Sequence, residues 1–195
     1  MTLKISFLEA NLNHADKGFY DGKDDIDSGA EKYFYSLSHE EAFEYVTNHF
    51  REEPPPHDLR ITGYSWGGWT ALILAHDLGA NYQIRMGLID PVDTLRSQRH
   101  TELRQVPGRH GFSPVEIGPD FATKPANVVA GAEWYETIGL GGIIGGAFTG
   151  TPVSGFELHD VTSDCQKNIA INSPHIYICM HYAKDAIHFA FSDNK

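Results

Sequence analysis

The stretch Gly63-Tyr64-Ser65-Trp66-Gly67-Gly68 separates two segments of opposite character and decides the fold. The residues before it, Asp58 to Thr62, have the apolar and polar alternation of a short strand. Those after it, from Trp66 to Leu78, are almost all apolar, and Gly79 stands where helices commonly end. The pattern therefore predicts a strand, a sharp turn at Ser65, and a helix that is buried on nearly all sides.

The segment that follows, Tyr82 to Ile89, is typical of another strand, and Asp90-Pro91 ends it. A strand, a helix and a strand within some thirty residues form a right-handed crossover unit, which requires a parallel sheet. An amphipathic helix ends the chain. The sequence thus predicts an α/β fold in which residues 1–195 form a single domain, with a compact, mostly parallel sheet and helices on both faces. Three further segments have strand patterns: Leu3 to Leu8, Asn127 to Tyr135 and Ile169 to Asn172.

Several segments are interpreted as connections or caps. The polar stretches from Asn11 to Gly29 and from Ser97 to Pro125 are predicted to be loops, because glycine, proline and aspartate interrupt them. The glycine-rich stretch from Gly139 to Gly150 is predicted to be a flexible lid. Ser38 and Glu41 have the spacing of a capping box at the start of a helix.

Charge and cysteine content exclude several classes of function. The chain has 26 acidic and 15 basic side chains, a formal charge of −11, which repels nucleic acid and anionic bilayers. We therefore expect no nucleic-acid partner. The two cysteines, Cys165 and Cys179, are too few for a disulfide framework or a zinc site, so both are predicted to be free thiols. Neither a metal nor an organic cofactor is expected.

The amino-terminal residues give an expectation about location. The first twelve residues contain a lysine and an apolar run that Glu9 interrupts, which is unlike a signal peptide. No apolar stretch approaches the ~20 residues that span a bilayer. The sequence predicts a cytoplasmic protein without a transmembrane segment; a leader removed before the numbering began would instead make it secreted. The oligomeric state is left open.

Around Ser65 the chain resembles the α/β-hydrolases, specifically serine hydrolases of the lipase and esterase type. The G-x-S-x-G pattern of Gly63, Ser65 and Gly67 is similar to their nucleophile elbow, and a looser resemblance extends from Leu3 to the last helix. The resemblance implies an α/β-hydrolase-like sandwich with Ser65 as the nucleophile. The N–H of Trp66, at the start of the helix, is the expected first oxyanion donor. The alternative is a tight turn whose serine caps the helix.

The resemblance further implies an acid and then a histidine, in that chain order. Asp90 is the predicted acid, because it follows the strand after the elbow helix and parallel sheets bind ligands at that edge. An aspartate before a proline is also a common turn starter. Many relatives carry the acid after the following strand, so Asp93 and Asp160 remain alternatives.

The predicted base is His175, which the sequence places in the loop between the last strand and the last helix. His159, beside Asp160, is the second choice. His181 and His188 fall inside the last helix and are predicted to lie away from the site.

The resemblance implies hydrolysis of a carboxylic ester, from a small molecule or a lipid, through a Ser-Asp-His triad and an acyl-enzyme. The segment after the first strand lacks the His-Gly run that supplies a second oxyanion donor in many lipases, and Ala10 or Asn11 takes that place. Other functions remain open: acyl transfer or a phospholipase-type effector with the same triad, and a binding protein without catalysis.

Overall fold

The computed structural model describes residues 1–8, 18–20, 25–35, 38–91, 101–105, 112–116, 123–137, 152–167 and 174–193. Within these ranges the backbone alone is described for 18–20, 25–27, 101–105, 112–116, 166–167, 174–177 and 179–180. The predicted strand from Ile169 to Asn172 and the predicted lid from Gly139 to Gly150 lie outside the described residues.

A six-stranded sheet forms the centre of the fold, and every strand pairing in it is parallel. This confirms the predicted α/β class. The strand order is β10-β9-β6-β5-β1-β4, so β5 and β6 are central and lie side by side. The strands are β1 (Thr2–Leu8), β4 (Lys32–Tyr35), β5 (His57–Tyr64), β6 (Tyr82–Ile89), β9 (Val128–Tyr135) and β10 (Glu157–Asp160).

Two antiparallel pairs stand apart from this sheet and correct the prediction of two long loops. The stretch predicted as a loop from Asn11 to Gly29 contains β2 (Gly18–Tyr20) and β3 (Asp25–Asp27). The stretch from Ser97 to Pro125 contains β7 (Thr101–Gln105) and β8 (Phe112–Glu116). Glycine and proline led to the prediction of loops, but the same residue types are common wherever paired strands are connected, so their presence did not exclude strands.

Helices cover both faces of the sheet, as the sequence predicted. Helices α1 (His39–His49) and α2 (Trp66–Leu78) pack on one face, in the larger apolar cluster. Helix α4 (Pro174–Phe191) packs on the other face in a second cluster, to which α3 (Thr162–Lys167) contributes Cys165. None of the helices in the described ranges is long and apolar enough to cross a membrane.

Helix α2 is almost completely enclosed, which confirms its prediction as a buried helix. Its residues from Gly67 to Ala75 are all buried. It ends at Gly79, which has φ 70°. The Asn127 side-chain amide donates hydrogen bonds to the carbonyls of Ala75 at 2.7 Å and Gly79 at 3.0 Å. The polar groups at this helix end are therefore satisfied by a neighbouring segment.

The predicted capping box at α1 is wrong. Ser38 stands at the N-cap position, but its side chain makes no capping hydrogen bond. The Glu41 carboxylate instead lies 3.4 Å from the Lys32 ammonium of β4. An opposite charge on the adjacent strand holds Glu41 in place of the reciprocal bond to the backbone.

Helix α4 runs antiparallel to the strands and lies directly on β6. A Cβ added at Gly87 would be 2.3 Å from the Ala186 carbonyl oxygen, so only glycine permits this approach. Near the helix end, Arg85 Nε donates to the Phe189 carbonyl at 2.6 Å, and Arg60 donates to the Phe191 carbonyl at 3.2 Å. The carboxyl end of α4 is thereby fixed over the first half of the strands, and its amino end points toward their carboxyl ends.

Candidate active site

Ser65 forms the turn between β5 and α2 in a backbone conformation that L-residues rarely adopt, with φ 57° and ψ −129°. Its N–H donates to the Ile89 carbonyl at 2.9 Å, and its own carbonyl accepts from the Gly68 N–H at 3.0 Å. The side chain makes no capping hydrogen bond, so the alternative of a helix-capping serine does not describe this residue. The turn positions a serine side chain for some purpose other than capping.

The glycines around Ser65 allow three strands to converge on this turn. A Cβ at Gly63 would lie 2.7 Å from the Gly68 Cα, and a Cβ at Gly67 would lie 2.6 Å from the Leu8 carbonyl oxygen. A Cβ at Gly68 would lie 3.2 Å from the Pro91 Cβ. Gly67 and Gly68 are therefore explained by close contacts with the carboxyl ends of β1 and β6, and Gly63 by its close contact with Gly68 across the turn.

Asp90 follows β6 and is fully buried, with φ 44°. Its N–H donates to the Trp134 carbonyl at 2.7 Å, and its Oδ1 accepts from the Glu136 N–H at 3.1 Å. Trp134 lies in β9 and Glu136 directly follows that strand, whereas a simple Asp-Pro turn needs no partner from another strand. Two contacts from β9 thus hold the Asp90 backbone and fix the orientation of its carboxylate.

Ser65 and Asp90 occupy equivalent positions on neighbouring strands. Tyr64 pairs with Ile89 in the sheet, and each is followed directly by one of the two residues. Adjacent strands are ~4.8 Å apart, so the turns at Ser65 and Asp90 lie side by side at the carboxyl edge. Within the described part of the chain, these two are the non-glycine residues with positive φ. The structure therefore brings the predicted nucleophile and the predicted acid to one place.

Of the two alternative acids, Asp160 lies away from this place. Asp160 is exposed at the end of β10, and its Oδ1 accepts from the Thr162 N–H at 2.9 Å, which holds the start of α3. Two strands separate Asp160 from β5. Asp93 lies outside the described residues.

His175 is the second residue of α4 rather than part of a loop, which corrects its predicted setting. The helix begins at Pro174, one residue before His175, because proline suits the first turn of a helix, where no N–H is needed. The His175 side chain lies outside what is described. Ile178, less than one turn further on, is buried in a cluster with Tyr64 and Ile89, the residues before Ser65 and Asp90. The first turn of α4 therefore begins at the same edge as the candidate site.

The other candidate histidines have different surroundings. The His159 ring stacks on Trp134 at 4.6 Å, and its Nε2 lies 3.3 Å from the Glu157 carboxylate. In the sheet it is three strands from Tyr64, a distance of ~14 Å. His181 and His188 are exposed on α4, on the side away from its buried residues.

Sequence reasoning missed two buried carboxyl groups at the end of β9, Glu133 and Glu136. Glu133 Oε2 accepts from the Val153 N–H at 2.8 Å. Burial raises the Glu133 pKa to about 8, and the charge of Asp90 contributes to the increase. The available signal was a glutamate in the otherwise apolar run from Val128 to Tyr135, which we interpreted only as a strand.

Cys165 of α3 lies near these acids. Burial raises the pKa of its thiol to about 12, and the charges of Glu136 and Asp90 contribute to the shift. A thiol with such a pKa is a weak nucleophile at neutral pH. Among the residues whose positions are given, no group of three histidine, cysteine or acidic side chains is arranged to hold a metal ion.

Comparison with known proteins gives one structural likeness. No protein-family model matches the chain. No curated protein matches it either. A crystal structure from Pectobacterium atrosepticum, provisionally described as a YdeN-like hydrolase, matches 97% of this chain and 91% of its own, with 12% sequence identity and a TM-score of 0.47.

Proposed function

We propose that this protein is a serine hydrolase that cleaves carboxylic esters, with Ser65 as nucleophile, His175 as base and Asp90 as acid. One observation carries the proposal: Ser65 and Asp90 both have positive φ, and they lie side by side at the carboxyl edge of the sheet. Such strain persists only where the surrounding structure enforces it, and it is concentrated at functional sites.

The amino end of α2 supports attack by Ser65 on a carbonyl. The Ser65 carbonyl accepts the N–H groups of Gly68 and Trp69, which leaves the N–H groups of Trp66 and Gly67 at the open end of the helix. The positive end of the helix dipole acts at the same point. We propose that the Trp66 N–H stabilises the oxyanion that forms when the Ser65 hydroxyl adds to the ester.

The setting of Asp90 supports its part in the triad. A buried carboxylate orients an imidazole and stabilises the imidazolium that forms during attack. The bond from the Glu136 N–H to Asp90 Oδ1 fixes the carboxylate, and the bond to Trp134 fixes its backbone. The acid is therefore held in place before substrate binds.

The direction of α4 supports His175 as the base. Arg60 and Arg85 bind the carbonyls at the far end of this helix, and Ile178 packs beside Tyr64 and Ile89 near its start. These contacts fix the helix along its length, so its first turn begins at the edge where Ser65 and Asp90 lie. In the proposed reaction His175 takes the Ser65 proton and delivers it to the leaving alcohol, and then activates the water that hydrolyses the acyl-enzyme.

Hydrolysis of p-nitrophenyl esters tests this function. A series from acetate to laurate, with purified protein near pH 7.5, should show catalysed release of p-nitrophenol that Ser65→Ala abolishes. Ser38→Ala is the matched control, because Ser38 lies at the start of α1 and should retain the wild-type rate. The chain length of the fastest substrate distinguishes an esterase from a lipase. Equal rates in wild type and Ser65→Ala would contradict the proposal.

A further inference from the structure

Glu133 is a fully buried carboxyl group that the proposed triad does not use. The side chains of its neighbours Ala132 and Trp134 belong to the cluster around α4, so Glu133 points to the opposite face of the sheet, toward α2. There its Oε2 accepts from the Val153 N–H. Its Oε1 is also buried and has no hydrogen-bond partner among the described residues.

The surroundings of Glu133 make a negative charge on it costly. On β6, Leu88 is its paired residue, and Asp90 lies two positions further along. On β10 the paired residue is Leu158, and the segment at Val153 offers a backbone N–H. Asp90 is the charged side chain that acts on Glu133 within the described part of the chain, and its effect is repulsive.

A charge on Asp90 disfavours a second charge on Glu133, because both carboxyl groups are buried and water does not screen them. Asp90 has an N–H donor at Oδ1, and its negative charge is what the imidazole of the triad requires. Glu133 has one oxygen bound to Val153, and its other oxygen has no hydrogen donor within the described part of the chain. A proton on Oε1 neutralises the Glu133 carboxylate at this other oxygen. Oε2 then remains the acceptor for the Val153 N–H.

We propose that Glu133 is a positioning residue whose uncharged carboxyl group lets Asp90 carry the negative charge of the triad. The role rests on the proposed hydrolase function. Glu133 is mostly neutral at pH 7, in keeping with its pKa of about 8. Its ionisation in more alkaline solution places a second charge beside Asp90 and disturbs the acid that orients His175.

The proton on Glu133 can be tested without any catalysis, in the Ser65→Ala background. A carboxyl group with a raised pKa binds its proton more tightly in the folded state, so its contribution to stability is lost as pH rises from about 4.5 to about 8. Glutamine at this position is neutral at every pH. The difference in Tm between the Glu133→Gln variant and its background should therefore increase by ~3 °C for each pH unit over that range. Glu44→Gln, at an exposed position on α1, should give a constant difference.

Infrared spectroscopy provides a second measurement that does not depend on a stable variant. The folded Ser65→Ala protein should show the carbonyl stretch of a protonated carboxylic acid at pH 7, and the band should disappear by pH 9.5. Absence of the band at pH 7 would overturn the proposal. A Tm difference for Glu133→Gln that stays constant with pH would overturn it as well.

The positioning role is tested by the pH profile of ester hydrolysis. Wild-type kcat should fall above pH 8, whereas Glu133→Gln should have no such fall. At pH 7, Glu133→Ala should lower kcat about 10-fold, and Glu133→Gln should restore most of that loss. An unchanged alkaline fall in Glu133→Gln refutes the role. A wild type without esterase activity at any pH refutes the hydrolase function, and the unfolding profiles then still show whether Glu133 holds a proton.

Discussion

Both ends of α2 have a residue with positive φ, but the residue types differ. At its carboxyl end the left-handed conformation falls on Gly79, with φ 70°, where no Cβ is strained. At its amino end the positive φ falls on Ser65, although glycine there would remove a cost of about 1–2 kcal/mol. At the end of β6, Asp90 is a second non-glycine residue with positive φ. The difference indicates that the carboxyl edge of the sheet retains strain because it needs these two side chains.

The largest expected effect comes from removing the Ser65 hydroxyl. Ser65→Ala should lower kcat/KM for p-nitrophenyl esters by about 10⁶-fold, the loss typical of a deleted triad nucleophile. Tm should change little, because alanine keeps the Cβ and the turn. A rate within tenfold of wild type would show that the strained turn at Ser65 does not serve catalysis.

Removing the proposed base, His175, should have an effect of similar size. His175→Ala should abolish the rise in activity with pH that deprotonation of an imidazole base produces. His159→Ala is the control and should keep the rise, because that ring stacks on Trp134 and pairs with Glu157. A preserved rise in His175→Ala would move the base to another histidine.

The acid should matter less than the nucleophile and the base. Asp90→Asn should lower kcat by about 10⁴-fold through loss of the correct imidazole tautomer. Asp160→Asn should have a mild effect on the rate, since its carboxylate holds the start of α3. Full activity in Asp90→Asn would show that another residue is the acid. A large decrease in Tm would indicate that Asp90 serves only to stabilise the turn.

The smallest expected effect concerns stability and tests the strain itself. Ser65→Gly should raise the free energy of unfolding by about 1 kcal/mol, because glycine tolerates positive φ. Gly79→Ala should lower it by about the same amount; a Cβ there meets no atom within 4 Å, so backbone strain is the expected cause. Chemical denaturation measures both. A destabilised Ser65→Gly would show that the turn at Ser65 is not strained.

The elements around Ser65 could be predicted because their signals are local. An apolar helix, the strands on either side of it and a glycine pattern all lie in the sequence from Asp58 to Ile89. The pairing of β7 with β8 was missed because proline and glycine interrupt the surrounding sequence and neither short strand has a run of apolar residues. Glu133 was missed because burial beside Asp90 arises from the pairing of β9 with β6, which only the fold establishes.

Covalent labelling with a fluorophosphonate, read by intact-protein mass spectrometry and peptide mapping, reports directly whether Ser65 is an activated nucleophile. One adduct per chain is expected in the wild type, located on Ser65, and none in Ser65→Ala. Asp90→Asn and His175→Ala should label far more slowly than wild type, because the hydroxyl then lacks an oriented base. Stoichiometric labelling of Ser65→Ala, or a folded wild type that does not react, would contradict the assignment of Ser65 as an activated nucleophile.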